Sequence, residues 1–236
     1  ILVTRVNGAY GDPVMVPHPK CLVDHSGISA DLACTLACSG LTTFSAIRKI
    51  QPDRLTERDT VVVLGAGGLG LTSVRILKYM SKARIVVSEL DAEKRAIAVQ
   101  MGADLIVDPS RDSAAKDLKT AAQTDDGRGI AAILDFVGLP QTMEFGLSLL
   151  RKGGHHVHVG LFGGAYSMSL PPLAFRMLRV SGSYVGTLEE FRELVGLVQN
   201  GMDLSIPITN RPLDEAADAL EDLQSGKVAG RLVLKP

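Results

Sequence analysis

The sequence has little of what would direct a protein to a membrane, a nucleic acid or an oxidising compartment. Its 25 Lys and Arg residues balance 26 Asp and Glu residues, so no whole-chain field would attract nucleic acid or an anionic bilayer. No uninterrupted apolar run approaches the roughly 20 residues of a membrane span. Three cysteines without a regular spacing predict reduced thiols rather than disulfides. We therefore expect a cytoplasmic protein that binds neither nucleic acid nor membrane.

The chain also lacks an initiating methionine. It begins at Ile1 with the segment ILVTRV, which has the character of a strand interior, so we expect either a fragment or a sequence from which the early residues are missing. Its 236 residues, 46% of them hydrophobic, are enough for one large domain or two small ones with a packed core.

What is present is a regular alternation, from Thr60 onward, of short β-branched runs with longer amphipathic segments. This is the pattern of repeated strand and helix units in a parallel sheet, and runs that are nearly all apolar indicate strands buried on both faces. The runs lie at residues 60–64, 84–88, 105–107, 132–137, 156–159 and 180–185. They predict an α/β fold with a doubly wound, six-stranded parallel sheet of the Rossmann type.

The segment GAGGLG forms the pattern G-x-G-x-x-G directly after the first run and directly before an amphipathic helix. Gly65 permits the tight turn, Gly67 lets a pyrophosphate approach the backbone, and Gly70 lets helix and strand pack closely. The helix N-terminus offers free N–H groups and partial positive charge to the diphosphate. The predicted contacts with a dinucleotide are Gly65, Gly67, Gly68, Leu69 and Gly70.

An acid follows the second run at the place where a dinucleotide would need it. Glu89 lies 24 residues after Gly65, and a carboxylate there accepts hydrogen bonds from ribose hydroxyls and repels a 2′-phosphate. We therefore predict NAD rather than NADP. Asp91 is a rival for this role, but we interpret it as the N-cap of the next helix. In the plainer alternative the glycines form only a turn and Glu89 is a strand-end charge, but the six-run context disfavours it.

With these motifs in place, the sequence resembles the zinc-containing medium-chain alcohol dehydrogenases over nearly its whole length. Residues 37–44 (ACSGLTTF) resemble the family's C-A-G-x-T-x-Y segment. This resemblance implies that Cys38 is a ligand of the catalytic zinc and that Thr42 lies beside the nicotinamide.

Further segments of the chain resemble the coenzyme-binding parts of the same family. The glycine pair at 153–154 leading into VGLF and the segment GSYVG at 182–186 both match. The resemblance implies that backbone groups of Val159, Ser183 and Val185 hold the carboxamide of the nicotinamide. Val137 and Leu161 are also predicted to contact the coenzyme. The ending VAGRLV resembles the family's terminal G-R-x-V, which implies that Arg231 reaches the diphosphate, and Lys94 resembles a basic residue near the adenosine ribose. Both could instead be solvated surface cations.

The resemblance implies a zinc-dependent oxidoreductase that transfers hydride between a primary or secondary alcohol and NAD. Family members also carry a GroES-like catalytic domain with further zinc ligands, and those motifs are not found in this sequence. A catalytic zinc needs three protein ligands, so we expect the chain alone to be inactive. The implied organisation is a catalytic-domain remnant at 1–40, the NAD-binding domain at 41–186 and a segment returning to the catalytic domain at 187–236.

Two other functions stay open. One is a zinc-free quinone reductase of the same superfamily, which would be expected to lack both Glu89 and Cys38; the other is a non-enzymatic NAD-binding protein. For assembly we predict a homodimer or homotetramer paired through 180–185, with the apolar stretch 170–178 ahead of it.

The remaining cysteines and histidines are interpreted as structural. Cys34 is expected to be a small core residue. Strand alternation predicts that His156 and His158 share one face while His155 points to the other. Because the family has an ordinary strand here, we interpret the three histidines as parts of that strand rather than as metal ligands.

Overall fold

The computed structural model describes residues 15–16, 18–122 and 129–236, so residues 1–14 and 17 of the predicted catalytic-domain remnant lie outside the described residues. Six parallel strands form the central sheet in the order β3-β2-β1-β4-β5-β6. The strands are β1 (Thr60–Leu64), β2 (Arg84–Ser88), β3 (Leu105–Val107), β4 (Ile130–Asp135), β5 (Leu150–His158) and β6 (Arg179–Gly182). This order reverses direction between β1 and β4, which confirms the doubly wound parallel prediction.

The first three strands have the predicted bounds, whereas the last three differ. β4 ends at Asp135 rather than Val137 because the amide of Val137 turns back to donate to the Asp135 carboxylate, 3.0 Å away. β5 begins earlier, at Leu150, and takes in the two glycines before His155. β6 ends at Gly182, and Val185 lies beyond it in the left-handed region with φ of 52°, which no strand residue adopts.

Helices cover both faces of the sheet. Along β1 the side chains alternate: Val61 and Val63 belong to one apolar cluster with α3, and Val62 and Leu64 belong to another cluster with α5 and α6. Such burial on both faces explains why the runs are apolar throughout. The helices around the sheet are α3 (Gly68–Met80), α4 (Ala92–Gln100), α5 (Ala114–Ala122), α6 (Pro140–Leu149), α7 (Leu170–Phe175) and α8 (Leu188–Gln199).

Before the sheet, one helical run extends over Ala30–Lys49. It consists of α1 (Ala30–Thr35), a π-helical turn (Leu36–Gly40) and α2 (Leu41–Lys49). An 18-residue window of this 20-residue run has a mean hydropathy of 1.3, so by length and composition alone the helix could cross a membrane. Small polar residues interrupt the apolar ones along it, so it is not an uninterrupted apolar run. Phe44 and Ile47 are fully buried against the sheet domain, so the run is a core helix of this fold.

After the sheet, a short unit of two strands and a helix closes the chain. It contains β7 (Ile208–Pro212), α9 (Ala216–Gln224) and β8 (Arg231–Lys235), and the two strands form a separate parallel pair. The predicted division at 1–40, 41–186 and 187–236 stays a prediction.

Candidate functional site

The glycine loop joins β1 to α3 at the carboxyl edge of the sheet. Gly65 has φ of +90°, a conformation that favours glycine. A Cβ on Gly70 would lie 1.9 Å from the carbonyl oxygen of Gly65, so α3 can approach the strand this closely only with glycine there. A Cβ on Gly67 would meet nothing within 4 Å, so this part of the loop faces open space. The loop backbone therefore has the geometry that the motif predicts, and its contacts with a dinucleotide stay a prediction.

Glu89 lies beside this loop at the end of β2. Its Oε2 accepts a hydrogen bond from the backbone N–H of Ala66 at 2.6 Å, and its Oε1 accepts one from the N–H of Asp91 at 2.9 Å. Asp91 itself accepts from the N–H of Lys94 at 2.9 Å and caps α4, as the sequence predicts. That backbone hydrogen bond holds the pKa of Asp91 below its usual value. The Glu89 carboxylate is thus hydrogen-bonded to the loop, whereas the Asp91 carboxylate caps α4.

A cleft of about 480 Å³ opens between the loop, Glu89 and the start of α6. Its walls are mostly apolar, and the acid stands at the side of the glycine loop. The lining includes Gly65, Glu89, Leu90, Val137, Leu139 and Phe145. Apolar walls suit an aromatic base and a fixed carboxylate suits ribose hydroxyls, so the cleft can hold the adenosine part of a dinucleotide.

Arg231, at the start of β8, lies directly over the start of α3. A Cβ on Gly68 would lie 2.4 Å from the Arg231 Cδ, so glycine leaves room for the arginine side chain. The guanidinium and the helix N-terminus together place positive charge at one point, which suits a diphosphate. Lys94 is held differently, because its Nζ donates to the carbonyl of Gly226 at 2.8 Å. The Arg231 side chain thus lies against the loop, whereas the Lys94 side chain is hydrogen-bonded to the segment before β8.

Cys38 lies on the π-helical turn, and its side chain is exposed. Such turns often mark functional positions in helices. Thr42 is buried one turn further on, and the neighbouring Thr43 donates from its Oγ1 to the carbonyl of Leu69 at 3.4 Å. Sequence reasoning missed Thr43, whose contact ties α2 to the glycine loop and could have been suspected only from its place beside Thr42.

The described residues do not complete a catalytic zinc site around Cys38. Within the described ranges, the one group of three or more metal-type ligands lies elsewhere and does not include Cys38. One thiolate falls short of the three protein ligands that such a zinc requires. Cys34 also differs from its prediction: it is exposed rather than part of the core, because α1 lies at the surface beside α9 and β8.

The predicted nicotinamide contacts lie at the ends of β5 and β6. The Val159 N–H donates to the carbonyl of Asp135 at 2.9 Å, while Leu161 is 77% exposed. Ser183 is buried, and its Oγ has no hydrogen-bond partner among the residues that the structure describes. Val185, a β-branched residue with φ of 52°, is held in a strained conformation of the kind that clusters at ligand sites.

Asp135 is a second residue that sequence reasoning missed. Its Oδ1 accepts from the amides of Val137 at 3.0 Å and Gly138 at 2.9 Å, and its Oδ2 accepts from the Thr142 hydroxyl at 2.8 Å. The carboxylate therefore shapes the turn that carries Val137 into the cleft. The available signal was a single acid within an otherwise apolar run.

Known proteins resemble this chain in sequence and in structure. Residues 68–200 match the family of zinc-binding dehydrogenases. The NAD-dependent alcohol dehydrogenases of Sulfurisphaera tokodaii and Sulfolobus acidocaldarius are 33% and 35% identical to it over 231 and 237 residues. Both alignments cover 98% of this chain, which spans 65% of the length of either relative. The crystal structure of the alcohol dehydrogenase from Aeropyrum pernix superposes with a TM-score of 0.79 at 32% identity, covering 89% of this chain and 60% of that one.

Proposed function

Because this chain belongs to the zinc-binding dehydrogenase family, we propose that its protein transfers hydride between an alcohol and NAD. The substrate would be a primary or secondary alcohol, or the matching aldehyde or ketone. The proposal rests on one observation. The Glu89 carboxylate is hydrogen-bonded to the glycine loop at the mouth of an apolar cleft that is large enough for an aromatic base.

The residues of this chain would bind and orient the coenzyme. The start of α3 and the Arg231 guanidinium receive the diphosphate, since both carry positive charge at one point. The Glu89 carboxylate accepts hydrogen bonds from the ribose hydroxyls and repels a 2′-phosphate. The buried Ser183 and the strained Val185 would contact the nicotinamide end of the coenzyme. Thr42 would pack beside the nicotinamide ring. Holding the ring in one orientation lowers the entropic cost of hydride transfer.

Zinc belongs to the proposal only for the intact protein, with Cys38 as one of its ligands. When bound in such a site, zinc polarises the substrate oxygen and lowers the pKa of an alcohol. Because the described residues supply one thiolate and no other ligand at this site, we propose no step for the chain by itself.

The two alternatives differ in their support. A non-enzymatic NAD-binding protein is favoured by one observation, the absence of partner ligands around Cys38 among the described residues. A zinc-free quinone reductase has no such support, since both Glu89 and Cys38 argue against it.

For assembly we propose that a second copy pairs along β6, which lies at the edge of the sheet. The segment before and after β6 exposes large apolar side chains, which would be covered in a dimer or tetramer. They are Leu170, Phe175, Met177, Val180 and Tyr184. A monomeric mass in light scattering of the intact protein would contradict this. The three free, exposed cysteines suit the reducing conditions of the cytoplasm, where we place the protein.

The test is zinc content together with NAD-dependent alcohol oxidation, measured on the protein expressed from its complete reading frame. We expect about one or two zinc ions per chain and loss of activity on chelation. A Cys38→Ser variant should lose activity while still binding NAD. Binding of NAD without zinc or turnover would instead support the non-enzymatic alternative.

A further inference from the structure

Three potential metal ligands meet at the carboxyl ends of β4 and β5. In the parallel register Asp135 lies opposite His158, and Ile133 lies opposite His156. Because side chains alternate along a strand, Asp135, His156 and His158 share one face, which is the face covered by α6. His155 points the other way, where its Nε2 lies 2.8 Å from the Ser181 Oγ.

The distances within this cluster fit ligands of one ion better than they fit hydrogen bonds. The Asp135 Oδ2 lies 3.6 Å from the His156 Nε2 and 3.7 Å from the His158 Nδ1, and the three ligand atoms all lie within 4.8 Å of one another. Good hydrogen bonds would be shorter. Two ligands bound to a tetrahedral zinc at its usual bond lengths are about 3.4 Å apart.

Three ring nitrogens of the cluster have no hydrogen-bond partner within the part of the chain that the structure describes. They are the Nδ1 and Nε2 of the fully buried His156 and the Nδ1 of His158. Leaving a buried polar atom unsatisfied costs about 1–3 kcal/mol, so native proteins rarely tolerate several together. A cation between these atoms would satisfy the Nε2 of His156 and the Nδ1 of His158.

Residues around the cluster hold its side chains in position, as the outer shell of a metal site usually does. Asp135 is oriented by three hydrogen bonds, from the Val137 and Gly138 amides and the Thr142 hydroxyl. On α6, a Cβ at Gly146 would lie 2.7 Å from the His156 Nδ1, so only glycine leaves room for this ring.

Access to the cluster is also present. The His158 side chain is 35% exposed and lines a cavity of about 310 Å³. The cavity is bordered by Gly138, Gly160 and Tyr166 as well. An ion can therefore enter from this side, and a water molecule can complete its coordination there.

We propose that Asp135, His156 and His158 bind one divalent transition-metal ion of the zinc class, with the remaining position open to the cavity beside His158. Two imidazoles and a carboxylate suit zinc or cobalt better than the hard ions magnesium and calcium. This site is separate from Cys38, and it replaces the interpretation of these histidines as purely structural. By joining β4 to β5 the ion stabilises the native state over the unfolded one.

The test uses the 236-residue chain carrying Cys38→Ser, stripped of metal by a chelator and titrated with Co²⁺ and Zn²⁺. We expect one ion per chain, visible Co²⁺ absorption without thiolate charge transfer, and a higher Tm with either metal but not with Mg²⁺. His158→Gln, chosen because this side chain is partly exposed, should weaken binding at least tenfold. His155→Gln, on the same strand but the opposite face, is the matched control and should bind as the parent does.

Three results would overturn the proposal: no stoichiometric binding, thiolate charge transfer in the Co²⁺ spectrum, or equal binding by the His158→Gln variant and its parent. Neither NAD nor an alcohol takes part in this experiment. Its failure would therefore leave the proposed dehydrogenase function intact, and the failure of that function would leave the metal site intact.

Discussion

The amino ends and the carboxyl ends of the strands form two edges of the central sheet, and buried polar groups are bonded differently at each. At the amino edge, the buried Asp59 carboxylate accepts from the Thr56 amide at 2.7 Å, the Thr56 hydroxyl at 2.9 Å and the Arg151 guanidinium at 2.5 Å. At the carboxyl edge, Ser183 and His158 keep buried polar atoms without partners. Buried polar atoms without a partner are rare in native proteins. Because these two lie at the carboxyl edge, we interpret it as the binding edge, although Glu89 and Asp135 at the same edge bond within the protein.

The largest effect is expected from breaking the glycine loop at the carboxyl edge. Gly70→Ala would place a Cβ against the Gly65 carbonyl, so α3 must move, stability should fall by about 1–3 kcal/mol and NAD affinity at least 100-fold. Gly67→Ala is the matched control, because its Cβ meets open space and its φ of −73° suits alanine. It should keep the Tm but weaken NAD binding, since the methyl group faces the diphosphate. Equal Tm values for the two variants would contradict the assigned roles.

The next effect concerns the choice of coenzyme. Glu89→Ala removes the ribose acceptor and the repulsion of a 2′-phosphate, so NAD discrimination over NADP should fall by about 10- to 100-fold. Glu89→Gln keeps the size and one acceptor oxygen, so it should lose mainly the repulsion and gain NADP affinity. Calorimetric titration of both coenzymes measures this. Unchanged affinities in the alanine variant would mean that Glu89 does not determine specificity.

At the amino edge, Asp59→Asn should reduce stability by about 1–3 kcal/mol at pH 7 and leave NAD affinity unchanged. Burial by itself raises the pKa of Asp59, but the hydrogen bonds from Thr56 and Arg151 outweigh it and hold that pKa below its usual value. A carboxyl with a lowered folded pKa stabilises the fold above its unfolded pKa, and this contribution is lost as pH falls through the folded pKa.

The difference in unfolding free energy between Asp59→Asn and the parent should therefore shrink as the pH is lowered from 7 toward 3. Denaturant unfolding at several pH values measures it. Asp53→Asn, at an exposed position of the same region, should show no such difference. A constant offset at every pH would show that the charge of Asp59 does not carry the effect.

Arg231→Ala should weaken NAD binding about tenfold, because one charge-assisted contact with the diphosphate is lost. The loss should diminish at high salt, which screens charge at a partly exposed site. Lys235→Ala provides the control on the same strand: its Nζ pairs with Asp31 at 2.9 Å, far from the loop. If both variants bind NAD like the parent, the arginine is only a surface cation.

The smallest effect within this chain is expected for Cys38→Ser. The side chain is exposed on the π-helical turn, so neither the Tm nor the NAD affinity should change measurably. Thermal unfolding and calorimetry would show this directly. A marked loss of stability would mean that the thiol contributes to the fold of this chain rather than to the chemistry of the intact protein.

Most of the sheet could be predicted because β-branched runs buried on both faces are a local pattern. The bounds of β1, β2 and β3 followed from it directly. The ends of β4 and β6 could not, because they are set by the Asp135 carboxylate and by the left-handed Val185, neither of which alters the hydrophobic pattern. Cys34 was predicted to lie in the core because its segment is apolar. Composition alone does not tell which helix lies at the surface, and the side chain is exposed.

By itself, the sequence determined the parallel α/β architecture, the glycine loop and the acid that follows the second strand, because each depends on residues near one another in the chain. The tertiary structure alone decided that Arg231 covers Gly68 and that Asp135 meets His156 and His158. Arg231 reaches Gly68 only when the β7–β8 pair lies against the start of α3, and Asp135 meets the two histidines only when β4 and β5 pair in parallel. The order of strands in a sheet is set by long-range packing, which no local pattern encodes.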